Sequence, residues 1–295
     1  MTRLRPEQRK SLPAGRKATA RPPRTLRSDM TCEAALCAIA RSSAADLRHH
    51  APAASRGDGN AVHHIRIALT RLRTAIRFFR PAFDTEAWQS LDANASWLGQ
   101  QSGPARDIDV ALQRQRKKGA ADAPLRPWRK ERDRLYRHLQ RSLRSARCRQ
   151  FIEALAKRAS LPEHETNEPA SAAPFAAERL ERWRRKLIKR GRKLDHLGEE
   201  KRHRLRLRAK RFRYALEWSL PILHTPPALT REDIKQAKAI QDALGPLNDS
   251  FTHQAQAKEL KIDPLPAMLR LGRDKQQARR LKDARRAVKK LAGSH

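Results

Sequence analysis

Two stretches of this chain place the same chemistry at the same spacing. His63, Arg66, Thr70, Arg73 and Arg77 follow one another at steps of three and four residues, and so do His203, Arg206, Lys210 and Arg213. On a helix such steps put side chains on one face. An arginine fork donates two parallel hydrogen bonds to adjacent phosphate oxygens and stays charged at every relevant pH. A histidine adds a donor whose charge a phosphate neighbour can raise. A ladder of these groups on a rigid helix therefore fits a linear ligand with regularly spaced phosphates. The alternative, a solvated charge face, normally mixes signs to gain pairs one turn apart. From Ala61 to Pro81 the chain has no acidic residue.

The ladders sit on helices that the chain writes twice. Residues 62–80 read VHHIRIALTRLRTAIRFFR and residues 202–220 read RHRLRLRAKRFRYALEWSL. At an offset of 140 residues (63 against 203), His63 meets His203, Arg66 meets Arg206, Arg71 meets Arg211, and Arg73 meets Arg213. Such an echo marks an internal duplication. In the first copy Val62, Ile65, Leu69, Leu72, Ile76 and Phe79 form an apolar stripe that must face a core. In the second copy Leu205, Ala209, Phe212 and Leu216 do the same. Phe78, Ile67 and Leu207 fall elsewhere on the wheel, so both helices are expected to be enclosed on more than one side.

A second echo supports the first. Gly103-Pro104-Ala105-Arg106-Asp107 matches Gly245-Pro246-Leu247-Asn248-Asp249 at an offset of 142 (103 against 245). Gly-Pro reads as a helix stop, and the aspartate as the cap of the next helix. Asp107 and Asp249 are therefore expected to cap, with ligand or metal contact as the alternative.

The rest of the chain supplies helices around these two. Glycines number only 11, β-branched runs are scarce and a period near 3.6 persists, so the fold class is all-α. Helices are expected over Thr31–His49, from Asn60 as N-cap to Pro81, and over Thr85–Gln100. Others are expected from Asp107, then over Leu125–Ala159, Phe175–Leu197, Glu199–Leu220 and Thr230–Ala243, continuing to the C-terminus. APAASRGDGN reads as a loop. Residues 160–174 read as a polar, proline-rich linker, and residues 1–28 as a disordered basic arm.

Composition bounds the partner. The 295 residues carry 66 Lys+Arg against 31 Asp+Glu, a formal charge of +35. So large an excess repels itself until a polyanion neutralises it. No apolar run approaches the roughly 18 residues of a membrane span, and the basic N-terminus lacks the apolar stretch of a secretory signal. The three cysteines, Cys32, Cys37 and Cys148, follow no familiar spacing and read as reduced thiols.

Val62-His63-His64-Ile65-Arg66-Ile67-Ala68-Leu69-Thr70-Arg71-Leu72-Arg73 resembles the first signature of the CHAD family, the conserved histidine α-helical domain, which runs approximately V-H-x-M-R-V-x-x-R-R-L-R. His203-Arg204-Leu205-Arg206-Leu207-Arg208-Ala209-Lys210-Arg211-Phe212-Arg213-Tyr214-Ala215-Leu216-Glu217 resembles the second, L-H-x-L-R-I-x-x-K-R-L-R-Y-A-L-E. The resemblance covers about residues 30–290. It implies one domain over 29–295, built of two pseudo-symmetric bundles of about four helices each (about 29–159 and 175–293). Their basic faces would line a shared central groove or pore.

The resemblance also implies binding of inorganic polyphosphate and association with polyphosphate granules, here expected in the cytoplasm. The residues it carries over are His63, Arg66, Arg71 and Arg73, with His203, Arg206, Lys210, Arg211 and Arg213. Thr70 departs from the family, which has a basic residue there. Arg77, one turn further, is expected to compensate in part, and the second copy, with Lys210, to bind more strongly.

Three other readings compete with a non-enzymatic polyphosphate binder. Net charge alone equally fits non-specific nucleic-acid binding, although aromatic residues for base stacking are few and no recognised motif is present. An enzyme acting on phosphate esters would need a motif the chain lacks. Glu163-His164-Glu165 falls in the linker without the lysine of an E-x-E-x-K motif, and there is no Walker loop or HExxH. No cofactor is expected. A metal role for His63 and His203 stays open, because spacing does not show whether they meet.

Overall fold

The Thr31 hydroxyl accepts a hydrogen bond from the Ala34 amide (3.1 Å) and so starts the first helix. The computed structural model describes residues 26–82, 85–116, 125–160, 170–223, 229–259 and 274–293. Residues 1–25 of the expected arm and 161–169 of the expected linker lie outside them. Five helices build the first half: α1 (Cys32–Ser55), α2 (Gly59–Phe79), α3 (Glu86–Arg116), α4 (Arg126–Arg144) and α5 (Ala146–Ser160). Among the described residues the second half has α6 (Ala172–Gly191), α7 (Glu199–Ser219), α8 (Arg231–Glu259) and α9 (Asp274–Ala292). The protein is all-α. Among the described residues there is no strand, and no helix is long and apolar enough to cross a membrane.

Several boundaries differ from the sequence expectation, each for a local reason. α1 continues through Pro52 to Ser55, so the expected loop shrinks to three residues. Gly57 ends it with φ of 93°, which glycine adopts without strain; its amide bonds the Ala54 carbonyl (3.0 Å) and that of Asp58 bonds Ala53 (3.2 Å). Asp58, not Asn60, caps α2, its carboxylate accepting from the amides of Asn60 (2.7 Å) and Ala61 (3.2 Å). The expected helix over 125–159 breaks at Ser145, whose hydroxyl caps α5 by accepting from the Cys148 amide (3.2 Å). Leu26, placed in the expected arm, is buried in the core.

The largest correction concerns the Gly-Pro motifs. Neither stops a helix: α3 runs through Pro104 and α8 through Pro246. Asp107 and Asp249 are therefore interior helix residues, not caps. A proline removes one backbone bond per helix, but flanking turns and neighbours hold these helices. Arg66 Nη1 donates to the Gly99 carbonyl (3.1 Å), in the turn before Pro104.

One core cluster threads both halves, from Leu26 to Leu291, and a smaller one gathers Ile108, Leu112, Leu125 and Trp128 with Ala257. α2 packs on α1, α3 and α7; α7 packs on α6, α8 and α2. Between the halves, three pairs 140 residues apart touch. Thr31 and Ser171 form a backbone bridge at the starts of α1 and α6. The Lys210 ammonium donates to the Thr70 hydroxyl (3.4 Å), and the rings of Phe78 and Trp218 meet edge-to-face with centroids 6.3 Å apart.

Where α6 ends against α9, Gly191 leaves room for Val288. A Cβ at Gly191 would stand 2.6 and 2.8 Å from the two Val288 methyls. Val288 is buried and stiff at χ1. Gly191→Ala should therefore lower the thermal midpoint, overpacking of about 1–3 kcal/mol outweighing the helix gain of about 1 kcal/mol. Val288→Ala in the same chain should restore part of the loss, and a raised midpoint for Gly191→Ala alone would contradict this packing.

Candidate functional site

The cationic stripe of α2 is fixed by the apolar stripe beside it. Val62, Ile65, Leu69 and Leu72 are buried, which turns His63, Arg66, Arg73 and Arg77 toward the space between the halves. α7 faces them from the other side, held by Leu205, Ala209, Phe212 and Leu216. A run of three adjoining cavities lies between and beside these helices. The first, about 460 Å³, is lined by His63, Arg66 and Arg106 with His203, Arg206 and Lys210. The second, about 510 Å³, is lined by Arg66, Thr70, Arg73 and Arg77 with Lys210 and Arg211. The third, about 180 Å³, shares Arg77 and Arg211 and adds Arg179, Trp183, Lys186 and Arg208.

The cations of this groove are crowded, and their protonation shows it. Burial pulls the Lys210 ammonium down to about 7, and Arg66, Arg206, Arg213 and Arg211 add to the shift. Arg211 is lowered to about 10, first by burial and then by Arg77, Arg73 and Arg208. His63 is lowered to about 4 by partial burial, then by Arg106, His64, Lys210 and Arg66, although its ring still reaches solvent along the groove. Burial lowers Arg66 as well, with Asp107 opposing. Arg106 Nη1 and Arg206 Nε are buried and find no hydrogen-bond partner among the described residues. Unsatisfied buried donors are costly, and here they belong to groups that suit an anion.

Eight of the ten residues singled out from the sequence line these cavities: His63, Arg66, Arg73, Arg77, His203, Arg206, Lys210 and Arg211. Arg73 is also paired with Asp92 (2.8 Å). The other two, Arg71 and Arg213, do not line them. Arg213 pairs with Glu217 (2.8 Å), and Arg71 reaches the same carboxylate across the helix interface (3.6 Å). Both guanidiniums lie near the Tyr214 ring, at 5.4 and 4.5 Å from its centroid for Arg71 and Arg213. The signal was present in the chain. Glu217 stands where Arg77 stands in the first copy, so the second stripe ends in an acid that draws in its own arginine.

Thr70, the departure from the family pattern, also has a partner across the interface. Its repeat mate, Lys210, sits directly against it. A second basic residue there would set two buried cations in contact, whereas the threonine hydroxyl accepts from the ammonium.

Other groups in the groove lie outside the expected cationic set, although ligand contact was the alternative to capping for Asp107 and Asp249. Asp107 and Asp249 both line the first cavity. The Asp107 carboxyl is raised by burial, with Arg66 pulling the other way and Asp249 reinforcing the rise. Asp249 pairs with Arg114 across the halves (2.5 Å). Asn248 bonds the His203 ring at Nδ1. Buried His253 stacks on Trp128 and is lowered to about 4, by burial and then Arg114. The repeated Gly-Pro motif was their signal. Gly103 makes way for Arg66, since a Cβ there would lie 3.0 Å from Arg66 Nη1, while at Gly245 a Cβ would meet Arg206 Nε at 3.6 Å, an ordinary contact. The motif thus lies against the repeat arginine in both copies, closely at Gly103.

Metal binding by the histidines gains no support from the geometry. Among the described residues no group of three or more His, Cys, Asp and Glu side chains is placed to hold an ion. The three cysteines are buried and form no disulfide, with Cys32 pushed up to about 12 and Cys148 to about 11 by burial.

The model of the CHAD domain matches residues 38–258 of this chain. Among solved structures, the CHAD domain from the plant Ricinus communis superposes with a TM-score of 0.69 at 24% identity, covering 91% of this chain and 89% of that one. PptA from Streptomyces chartreusis superposes with a TM-score of 0.60 at 15% identity, covering 90% and 98%. At these identities the likeness concerns the fold. No curated protein matches the chain. With the family model spanning most of its length and the same helical fold in solved structures, the chain belongs to the CHAD domain family.

Proposed function

We propose that this protein binds inorganic polyphosphate in the groove between α2 and α7, without catalysis, and associates with polyphosphate granules in the cytoplasm. The observation that carries the reading is the gathering of Arg66, Arg73, Arg77, Arg206, Lys210 and Arg211 from both repeat helices around adjoining cavities, with Arg206 Nε buried and unpartnered among the described residues. Such crowding of like charges opposes folding. A polyanion lying along the groove reverses the sign of each interaction and satisfies the buried guanidinium donors. The pairs 140 residues apart that touch are consistent with two repeat halves facing each other around one ligand. Cavities of about 460 and 510 Å³ between the helices favour a thin, flexible chain over a rigid duplex, whose phosphates would meet only the rim.

Competition tests this. Long-chain polyphosphate should outcompete duplex DNA and RNA at equal phosphate concentration. Displacement of bound polyphosphate by either nucleic acid at parity would favour the non-specific reading instead. Binding should also release counterions. For about six phosphate contacts, log K should fall against log salt with a slope near −4, by analogy with single-stranded nucleic acids. A slope near zero would contradict a multivalent ionic contact. With magnesium added, no phosphate should be released from the polymer.

Lys210 gives the pH dependence. In the folded protein burial and the surrounding arginines pull it down to about 7, from the ordinary lysine value of 10.5. The unfolded chain therefore binds more protons across that interval, and stability without ligand should rise with pH through it. A bound polyanion restores the charge, so binding at pH 8 should take up protons and weaken as pH rises further. Calorimetry in two buffers of different ionisation enthalpy measures the uptake. Lys210→Met should abolish most of it; unchanged uptake in that variant would assign the proton elsewhere.

A further inference from the structure

The third cavity differs in chemistry from the two before it. Arg77 and Arg211 join it to the groove, and Lys186 and Arg208 keep it cationic, but Trp183 and Leu187 also line it. Trp183 is only partly buried, although it packs against the core through an edge-to-face contact with Phe78 (centroids 5.3 Å apart). Arg179 lies 5.8 Å from the centre of the same indole. Its guanidinium is held in place by donating from Nε to the Phe78 carbonyl (3.1 Å) and from Nη2 to the Arg77 carbonyl (3.3 Å), at the end of α2. A purely ionic site for a phosphate chain has no use for an accessible indole. A planar base does, because it stacks on aromatic rings and on guanidinium planes whatever its sequence identity.

We propose that this end of the groove is a nucleotide site, taking the base of a nucleoside polyphosphate beside Trp183 and Arg179 while its phosphates run past Arg77 and Arg211 into the groove. The space of about 180 Å³ accommodates one base and not a dinucleotide. Recognition rests on stacking. It is therefore tolerant of base identity and strongest for purines, which offer the larger ring. The inference builds on the phosphate chemistry proposed for the groove, but the base pocket stands on its own residues.

Calorimetry at fixed low salt, comparing ATP with inorganic tripolyphosphate, tests it. Both carry three phosphates, and tripolyphosphate carries the higher charge, so an ionic site alone would favour tripolyphosphate. The pocket predicts the opposite, ATP binding about tenfold more tightly through one stacked base. Trp183→Leu should remove that advantage and leave tripolyphosphate affinity unchanged, while Trp183→Phe should keep most of it; circular dichroism confirms that each variant folds. Equal or weaker binding of ATP, or an advantage that survives Trp183→Leu in a folded protein, overturns the proposal. So does failure of both short ligands to bind when long-chain polyphosphate binds. Failure of long-chain polyphosphate with the ATP advantage intact would instead remove the polyphosphate reading and leave the nucleotide site standing.

Discussion

Replacing Arg66 and Arg206 together by alanine should weaken polyphosphate binding by about two to four orders of magnitude and leave the protein folded. The two arginines are repeat mates, each lying against the glycine of a Gly-Pro motif, and both line the first cavity. A hydrogen bond to a charged group contributes about 1.5–3 kcal/mol, so losing one such contact on each side costs about 3–6 kcal/mol of binding, or about 10²–10⁴ in affinity. Each single variant should lose less than half of this on a logarithmic scale. Both arginines help depress Lys210, so removing either one lets the lysine recover charge and partly substitute. Stability should change little. The lost bond from Arg66 to the Gly99 carbonyl is offset by relief of repulsion among the remaining cations. Titration with polyphosphate alongside circular dichroism decides the matter. Unchanged affinity in a folded double variant would mean that the ligand does not lie in this groove.

Phe78→Ala should destabilise the protein by about 3–5 kcal/mol, the usual range for removing a fully buried aromatic side chain. Phe78 is completely buried. Its ring meets Phe79 of its own helix, Phe175 and Trp183 of α6, and Trp218 of α7, all edge-to-face with centroids 5.1–6.3 Å apart. Truncation therefore opens a cavity where the two halves join, and no single neighbour can fill it. Urea unfolding should show a markedly lower midpoint. Polyphosphate affinity should fall as well, since this cluster helps set α2 against α7. A loss below about 1 kcal/mol would show that the junction repacks and that the halves are held together elsewhere.

The repeat helices were legible because their information is local. The three- and four-residue rhythm from Val62 to Phe79 specifies a helix, names its buried face and places the cations one step round from it. The same rhythm recovers α7 over Glu199–Ser219, close to the expected span. Ends set by a single hydroxyl or carboxylate, such as those at Ser145 and Asp58, were less legible, because several neighbouring residues could cap equally well. Phe78, off the core stripe, was correctly read as a sign of enclosure on a second side. The Gly-Pro motifs were misread for a different reason. The local preference to stop a helix is real, but tertiary packing can override it. Here α3 and α8 run on, and their glycines lie against Arg66 and Arg206.

By itself the sequence determined the all-α class, the echo of one helix in another, and the presence of a cationic stripe on each of them. Periodicity and composition express those properties without reference to any distant residue. Only the tertiary structure decided which cations share a space. It withdrew Arg71 and Arg213 to the Glu217 carboxylate, brought Arg211 into the groove, and set Thr70 against Lys210. It also carried Arg106 from α3 and Arg179 from α6 to the same groove. The physical reason is that a helix wheel fixes directions around one axis, whereas a binding site depends on how separate axes approach. That approach is set by contacts such as those of Phe78 with Trp183 and Trp218, each more than a hundred residues from it in the chain and met only once the chain has folded.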